Sequence, residues 1–139
     1  MGLRKKRAPT AKIGKAFEDE IVIRLGIKGF TVLRIPDGCK QLSAFKLIRV
    51  RSPFDFVAHK KDQVIFFDAK TTDEKNFPYS KINQTQLQHL LKLEMSGFKA
   101  GYVIKFNLTK EIVFVTAGQL LNIKGRQSIK EDECERLFL

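Results

Sequence analysis

The chain has 139 residues, of which 43% are hydrophobic, and it carries a formal net charge of +11. This length and apolar content suffice for one domain with a hydrophobic core. The sequence has no run of about 18 uncharged apolar residues, which argues against a membrane-spanning helix. The basic N-terminus lacks the apolar segment of a secretion signal. The two cysteines lie far apart, so a reduced, cytoplasmic protein without a structural disulfide is predicted.

The strong positive charge favours a polyanionic partner, above all nucleic acid and less readily a membrane surface. Residues 1–9 are predicted to be a flexible basic arm that contacts DNA phosphates. The alternative is a solvated terminus without function. Residues 10–139 are predicted to form a single domain.

The first predicted element is a helix with Thr10 as its N-cap and its end near Gly26. Its apolar residues recur at every fourth position and form one buried stripe, beside which lies Glu18. A strand over residues 30–35 and a turn at 36–38 follow. The stripe consists of Ile13, Phe17, Ile21 and Leu25.

Residues 39–51 mix apolar and basic side chains, and the pattern is compatible with a strand pair or with a protruding basic element. Residues 37–52 are therefore a candidate DNA-contacting element. Their basic side chains would contact phosphates in one interpretation and be ordinary surface charge in the other. They are Lys40, Lys46, Arg49 and Arg51.

Two apolar runs on either side of a Lys-Lys-Asp turn predict a hairpin. A helix capped by Asn83 and ending at Gly97 comes next. Two further strands and a short helix follow, and Ser128 with Glu131 suggests the capping box of a last helix. This order predicts an α/β fold with a mixed sheet flanked by helices. The predicted segments from the hairpin to the short helix are 54–58, 63–70, 83–97, 100–106, 111–116 and 117–122.

The most informative motif is Asp68-Ala69-Lys70, at the polar end of an apolar strand. Residues two apart on a strand point to the same face, so Asp68 and Lys70 lie together and Ala69 lies opposite. Asp55, thirteen residues upstream, also interrupts an apolar run, where an unpaired carboxylate is costly. The pattern is compatible with a salt bridge at a strand end, and equally with a metal-dependent phosphodiesterase site.

In that second interpretation a divalent ion would neutralise phosphate charge and lower the pKa of a bound water. Mg²⁺ prefers oxygen ligands and keeps several waters, so two or three carboxylates suffice. Asp55 and Asp68 are candidate ligands, with the backbone carbonyl of Ala69 as a third. Lys70 is a candidate for orienting the attacking water and stabilising the transition state.

The order Glu18, Asp55, Asp68-x-Lys70 resembles the PD-(D/E)xK nuclease superfamily. Within it, the chain resembles the Holliday junction resolvases of the RecU type and, more distantly, of the archaeal Hjc type. The similarity spans roughly residues 14–130. It is carried by Gly14-x-x-x-Glu18, Phe67-Asp68-Ala69-Lys70-Thr71, Phe77-Pro78, Gln86-Leu87-Gln88-His89-Leu90 and the segment 124–129.

The resemblance implies a restriction-endonuclease-like fold and a role for each matching residue. Asp55 and Asp68 match the metal-binding acids, and Lys70 matches the catalytic lysine. Glu18 matches the helix acid that assists metal binding, and Gln86 the glutamine that approaches the metal-bound water. Asp68 departs from the more usual Glu and shortens the ligand by one methylene. Phe54 stands before Asp55 where the family places a hydroxyl residue or proline.

The resemblance further implies a homodimer that cuts four-way junctions by paired symmetric nicks, leaving 5′-phosphate and 3′-hydroxyl ends. Mg²⁺ is the expected cofactor, and Mn²⁺ is expected to substitute for it. Another PD-(D/E)xK nuclease, of restriction or repair type, and a non-catalytic nucleic-acid-binding protein are the alternatives. The expected DNA-binding residues are Arg4, Lys5, Lys6, Arg7, Lys12, Lys15, Lys40, Lys46, Arg49 and Arg51.

Overall fold

The computed structural model describes residues 10–36, 38–43, 46–50, 54–123, 128–130 and 134–136. The predicted N-terminal arm, residues 1–9, lies outside the described residues. None of the described helices is long and apolar enough to cross a membrane. The elements in chain order are α1 (Thr10–Ile27), β1 (Thr31–Arg34), β2 (Gly38–Ser43), β3 (Lys46–Val50), β4 (Phe56–Lys60), β5 (Gln63–Thr72), β6 (Asn76–Pro78), a 3₁₀ turn (Tyr79–Lys81), α2 (Gln84–Met95), β7 (Lys99–Phe106), β8 (Glu111–Thr116), α3 (Ala117–Asn122), β9 (Ser128–Lys130) and β10 (Glu135–Arg136).

A six-stranded sheet with the order β1-β4-β5-β7-β8-β10 forms the centre of the molecule. Only β5 and β7 run parallel, and the other neighbouring strands pair antiparallel. Parallel neighbours need a crossover connection, and α2 with the elements before it supplies that connection. The predicted mixed sheet flanked by helices is therefore confirmed.

Helices cover both faces of this sheet. Three residues of the predicted apolar stripe of α1, Phe17, Ile21 and Leu25, are buried on one face. The fourth, Ile13, lies on α1, but its side chain is outside the described part of the structure. Leu87 and Leu90 of α2, with α3, are buried on the other face. Alternate residues of β5 therefore belong to different layers, which places Phe67 beneath α1 and its neighbour Asp68 on the α2 side.

Helix α2 begins where its sequence signals place it. The Asn83 side chain accepts a hydrogen bond from the backbone N–H of Gln86 at 3.0 Å, as expected of an N-cap. The helix ends at Met95, and Gly97 adopts a positive φ of 97° that suits glycine. Because α2 runs back from the end of β5 to the start of β7, its first turn lies near the carboxyl end of β5.

Two parts of the chain differ from or refine the prediction. Ser128 does not begin a helix: it opens β9, which pairs antiparallel with β6 across Phe77 and Ile129. The buried side chains of these two residues join the core under α2, and this long-range burial outweighs a local capping signal. Of the two options for residues 39–51, the strand pair is observed, since β2 and β3 form a separate two-stranded sheet.

Candidate active site

Asp55 and Asp68 meet because of the register of the β4–β5 hairpin. The last paired residues at the open end of this hairpin are Phe56 and Phe67. Continued by one position, the same register sets Asp55 directly opposite Asp68. The tight turn at Lys61, which adopts a positive φ of 53°, therefore determines which two carboxyl groups face each other.

The two strands separate at this point. The backbone carbonyl of Asp55 accepts a hydrogen bond from Ile35 N at 2.8 Å, so the start of β4 remains attached to the β1 side. From Asp68 to Thr72, β5 pairs with β7 and no longer with β4. The two aspartates therefore lie where the pairing of β4 with β5 ends.

Asp68 is a buried carboxylate with one nearby cation. Its residue is 1% exposed, and Lys70 Nζ lies 2.9 Å from Asp68 Oδ2. This distance defines an ion pair, yet neither carboxylate oxygen receives a hydrogen bond of acceptable geometry. Ala69 packs on the opposite face, against the α1 core. The salt-bridge interpretation therefore describes a real contact, but that contact leaves the buried carboxylate incompletely satisfied.

Burial, and after it like charge, raises the pKa of the carboxyl groups of the site. Burial and the adjacent Asp68 carboxyl raise the pKa of Asp55 to about 8, with Glu18 adding to the rise and Lys70 opposing it. Burial also raises the pKa of Glu18, where Arg34 opposes the rise and Asp68 adds to it. Burial and the neighbouring carboxylates both disfavour the charged form of Asp55, so the Asp55 carboxyl keeps its proton to a higher pH than usual.

This repulsion predicts a pH-dependent stability. In EDTA, the free energy of unfolding should fall as pH rises from about 4 to about 8. In that window the folded chain keeps a proton on Asp55 that the unfolded chain, with an ordinary pKa of about 3.9, has lost. Urea denaturation at several pH values measures the slope. Asp55→Asn should flatten it, whereas Asp62→Asn, in the exposed β4–β5 turn, should leave it unchanged. Equal slopes in all three proteins would contradict the pKa assignment.

Two further buried polar groups belong to the layer between the sheet and α2, on the side where Asp68 lies. Gln86, in the first turn of α2, is 8% exposed and its Oε1 has no hydrogen-bond partner. The hydroxyl of Tyr102, on β7 beside Asp68, is also buried without a partner. The sequence motifs pointed to Gln86 but missed Tyr102. The available signal for Tyr102 was a hydroxyl inside the otherwise apolar run of β7.

The structure brings Glu18, Asp55, Asp68 and Lys70 into mutual electrostatic contact. In the described part of the chain no three acidic, histidine or cysteine side chains form a ready-made metal cage. Mg²⁺ at a phosphate needs only one or two carboxylates together with waters and substrate oxygens. Asp55 and Asp68 fit such an ion, because their oxygens are of the right chemical type and those of buried Asp68 lack hydrogen bonds.

The predicted DNA-binding residues are only partly described. Lys15 is exposed on α1, and its charge opposes the rise in the pKa of Glu18 that burial causes. Lys12 lies on α1, and three other predicted residues lie on β2 and β3. The side chains of these four residues are outside the described part of the structure. Arg51 and the residues of the basic arm lie outside the described chain. The three on β2 and β3 are Lys40, Lys46 and Arg49.

A separate cavity of about 610 Å³ lies at the amino end of β5 and β7. Leu25, Phe30, Ile65 and Phe98 contribute to its lining, and it contains none of the predicted catalytic residues. The candidate active site is therefore the cleft between the diverging strands and not this cavity.

Comparison with known proteins identifies first the fold and then the family. The Holliday junction resolvase Hjc of the archaeal hyperthermophile Archaeoglobus fulgidus has a similar structure, with a TM-score of 0.62 and 17% sequence identity. The match covers 89% of this chain and 96% of that chain, and it confirms the restriction-endonuclease-like fold. None of the curated protein sequences compared with the chain matches it.

The sequence profile of the family described as RecU, Recombination protein U, matches residues 39–138. This match covers well over half of the chain, and the chain therefore belongs to the RecU family. The predicted relation to the RecU family is confirmed, and the likeness to Hjc confirms the shared fold.

Proposed function

We propose that this chain is a divalent-metal-dependent endonuclease that resolves four-way DNA junctions. The observation that carries the proposal is the opposition of Asp55 and Asp68 where β4 and β5 separate, with the Lys70 ammonium 2.9 Å from Asp68. Family membership supports nuclease chemistry, and the net charge of +11 suits a polyanionic substrate.

Asp55 and Asp68 would hold Mg²⁺, or Mn²⁺ in its place, with Glu18 and the Ala69 carbonyl assisting. The bound ion would neutralise phosphate charge and lower the pKa of its water. Lys70 would orient the attacking water and stabilise negative charge as the bond order at phosphorus rises. Gln86 would contact the same water through its buried Oε1. In-line attack then breaks the P–O3′ bond and leaves a 3′-hydroxyl and a 5′-phosphate.

The remaining parts of the chain would provide substrate choice. We assign two parts of the chain to junction binding: the basic residues 1–9, which precede the single nuclease domain of residues 10–139, and the segment 37–52 within that domain. A junction must be cut on two strands, and a two-fold homodimer supplies two equivalent sites for that purpose. Paired nicks at symmetric positions would follow from that symmetry.

A cleavage assay on three labelled substrates of matched sequence tests the function. With Mg²⁺, the chain should introduce two symmetric nicks into a four-way junction and cut a linear and a nicked duplex far less. Equal cutting of all three substrates would favour a nuclease of restriction or repair type. Salt-sensitive binding without any metal-dependent cleavage would make the chain a non-catalytic nucleic-acid-binding protein.

A further inference from the structure

Among the described residues, the buried side-chain oxygens without a hydrogen-bond partner belong to Asp68, Gln86 and Tyr102. The proposed function uses the first two and leaves Tyr102 unexplained. Tyr102 is fully buried at 0% exposure, and its ring belongs to the core under α2. A buried hydroxyl without a partner is destabilising, and so the position of this one requires a reason.

The strand register places Tyr102 beside Asp68. The two residues are paired across the parallel strands β5 and β7, which lie about 4.8 Å apart. Both side chains lie on the α2 side of the sheet. The Tyr102 hydroxyl also senses the charges of Asp55 and the nearby Tyr79, and burial and these neighbours together raise its pKa. The register thus places the Tyr102 side chain next to that of Asp68 on one face of the sheet.

The Asp68 carboxylate and the Tyr102 hydroxyl both lack a hydrogen-bond partner. Asp68 offers two buried acceptor oxygens, and Tyr102 offers a buried donor, yet no direct hydrogen bond joins them. A single water between them would accept from the hydroxyl and donate to the carboxylate. Buried waters typically bridge such otherwise unsatisfied groups.

We propose that Tyr102 is a positioning residue of the metal site, whose hydroxyl donates a hydrogen bond to a water held against the Asp68 carboxylate. This inference rests on the proposed function, because the water belongs to the ligand set of a divalent ion at Asp55 and Asp68. Mg²⁺ retains several waters when it binds to proteins, and hydrogen bonds to such outer groups tune metal affinity. The alternative is that Tyr102 only fills the core with its ring and that its hydroxyl has no role at the metal site.

The two tyrosines of the chain provide a matched pair of variants. Tyr79 also lies near the site, but its hydroxyl already donates to Gln84 Oε1 at 3.1 Å. Isothermal titration of the full chain with Mn²⁺ should show roughly tenfold weaker binding for Tyr102→Phe. Tyr79→Phe should bind as tightly as the wild type. The apo form of Tyr102→Phe should unfold at a temperature no lower than the wild type, because the change removes a buried donor without a partner.

Fluorescence gives a second readout that does not depend on the Tyr102 variant. The chain has no tryptophan and only two tyrosines, so the emission of Tyr79→Phe comes from Tyr102 alone. Adding Mg²⁺ to this variant should change the tyrosine emission with the same midpoint as the calorimetric titration. In Tyr102→Phe, where Tyr79 is the only fluorophore, Mg²⁺ should leave the emission unchanged.

The outcomes separate the inference from the proposed function. If wild type and Tyr102→Phe bind Mn²⁺ equally tightly, and the emission of Tyr79→Phe ignores Mg²⁺, the positioning role is overturned while the metal site stands. If the wild type binds neither ion, the metal site itself fails and the inference fails with it. Weakened binding in Tyr102→Phe together with a metal-sensitive emission in Tyr79→Phe supports the role.

Discussion

Replacing Asp68 by asparagine is expected to lower junction cleavage by on the order of 10³-fold and to leave junction binding intact or stronger. Asparagine keeps the shape of the side chain but removes the charge that would hold the ion. It also removes a negative charge beside the phosphate path and relieves the repulsion on Asp55. Single-turnover cleavage of a labelled four-way junction with Mg²⁺, together with a gel-shift titration in EDTA, measures the two effects separately.

Asp62→Asn is the matched control, since it makes the same chemical change at an exposed turn at the other end of the hairpin. It should cleave and bind as the wild type does. If Asp68→Asn cut junctions at the wild-type rate, the assignment of the site would be wrong. If both variants lost activity together, the effect would reflect overall charge and not the site.

The largest expected effect on stability is that of Gly101→Ala. Gly101 lies in β7, in the centre of the sheet, and a Cβ atom there would overlap the Val115 carbonyl oxygen and stand 2.8 Å from Thr116 Cα. Both obstacles are backbone atoms of β8, so relief requires the two strands to move apart. We expect a loss of about 3 kcal/mol or more in the free energy of unfolding. For a domain whose whole stability is about 5–15 kcal/mol, this loss is severe.

Gly26→Ala is the comparison variant for urea denaturation. A Cβ at Gly26, near the end of α1, meets no atom within 4 Å. Because alanine loses less backbone entropy than glycine on entering a helix, the free energy of unfolding of this variant should be about 0.5 kcal/mol higher than that of the wild type. A Gly101→Ala protein as stable as the wild type would contradict the close approach of β7 and β8.

The elements with strong local signals were predictable from the sequence. The i, i+4 stripe of α1, the Asn83 cap of α2 and the tight turn of the β4–β5 hairpin all depend on neighbouring residues. The nearness of the two aspartates follows from the same logic, because a two-residue turn fixes the register that ends at Phe56, directly after Asp55, and Phe67, directly before Asp68. Local chemistry was misleading at Ser128, where the partner strand β6 lies far away in the sequence.

By itself, the sequence determined the class of the protein: a basic α/β domain of the RecU family that carries two acids and a lysine in series. It did so because side-chain periodicity and turn residues act over a few positions. Only the tertiary structure decided that β4 and β5 diverge at the aspartates, that Gly101 permits the approach of β8, and that Tyr102 lies beside Asp68. These three features depend on strand neighbours, which long-range packing selects and no local pattern encodes.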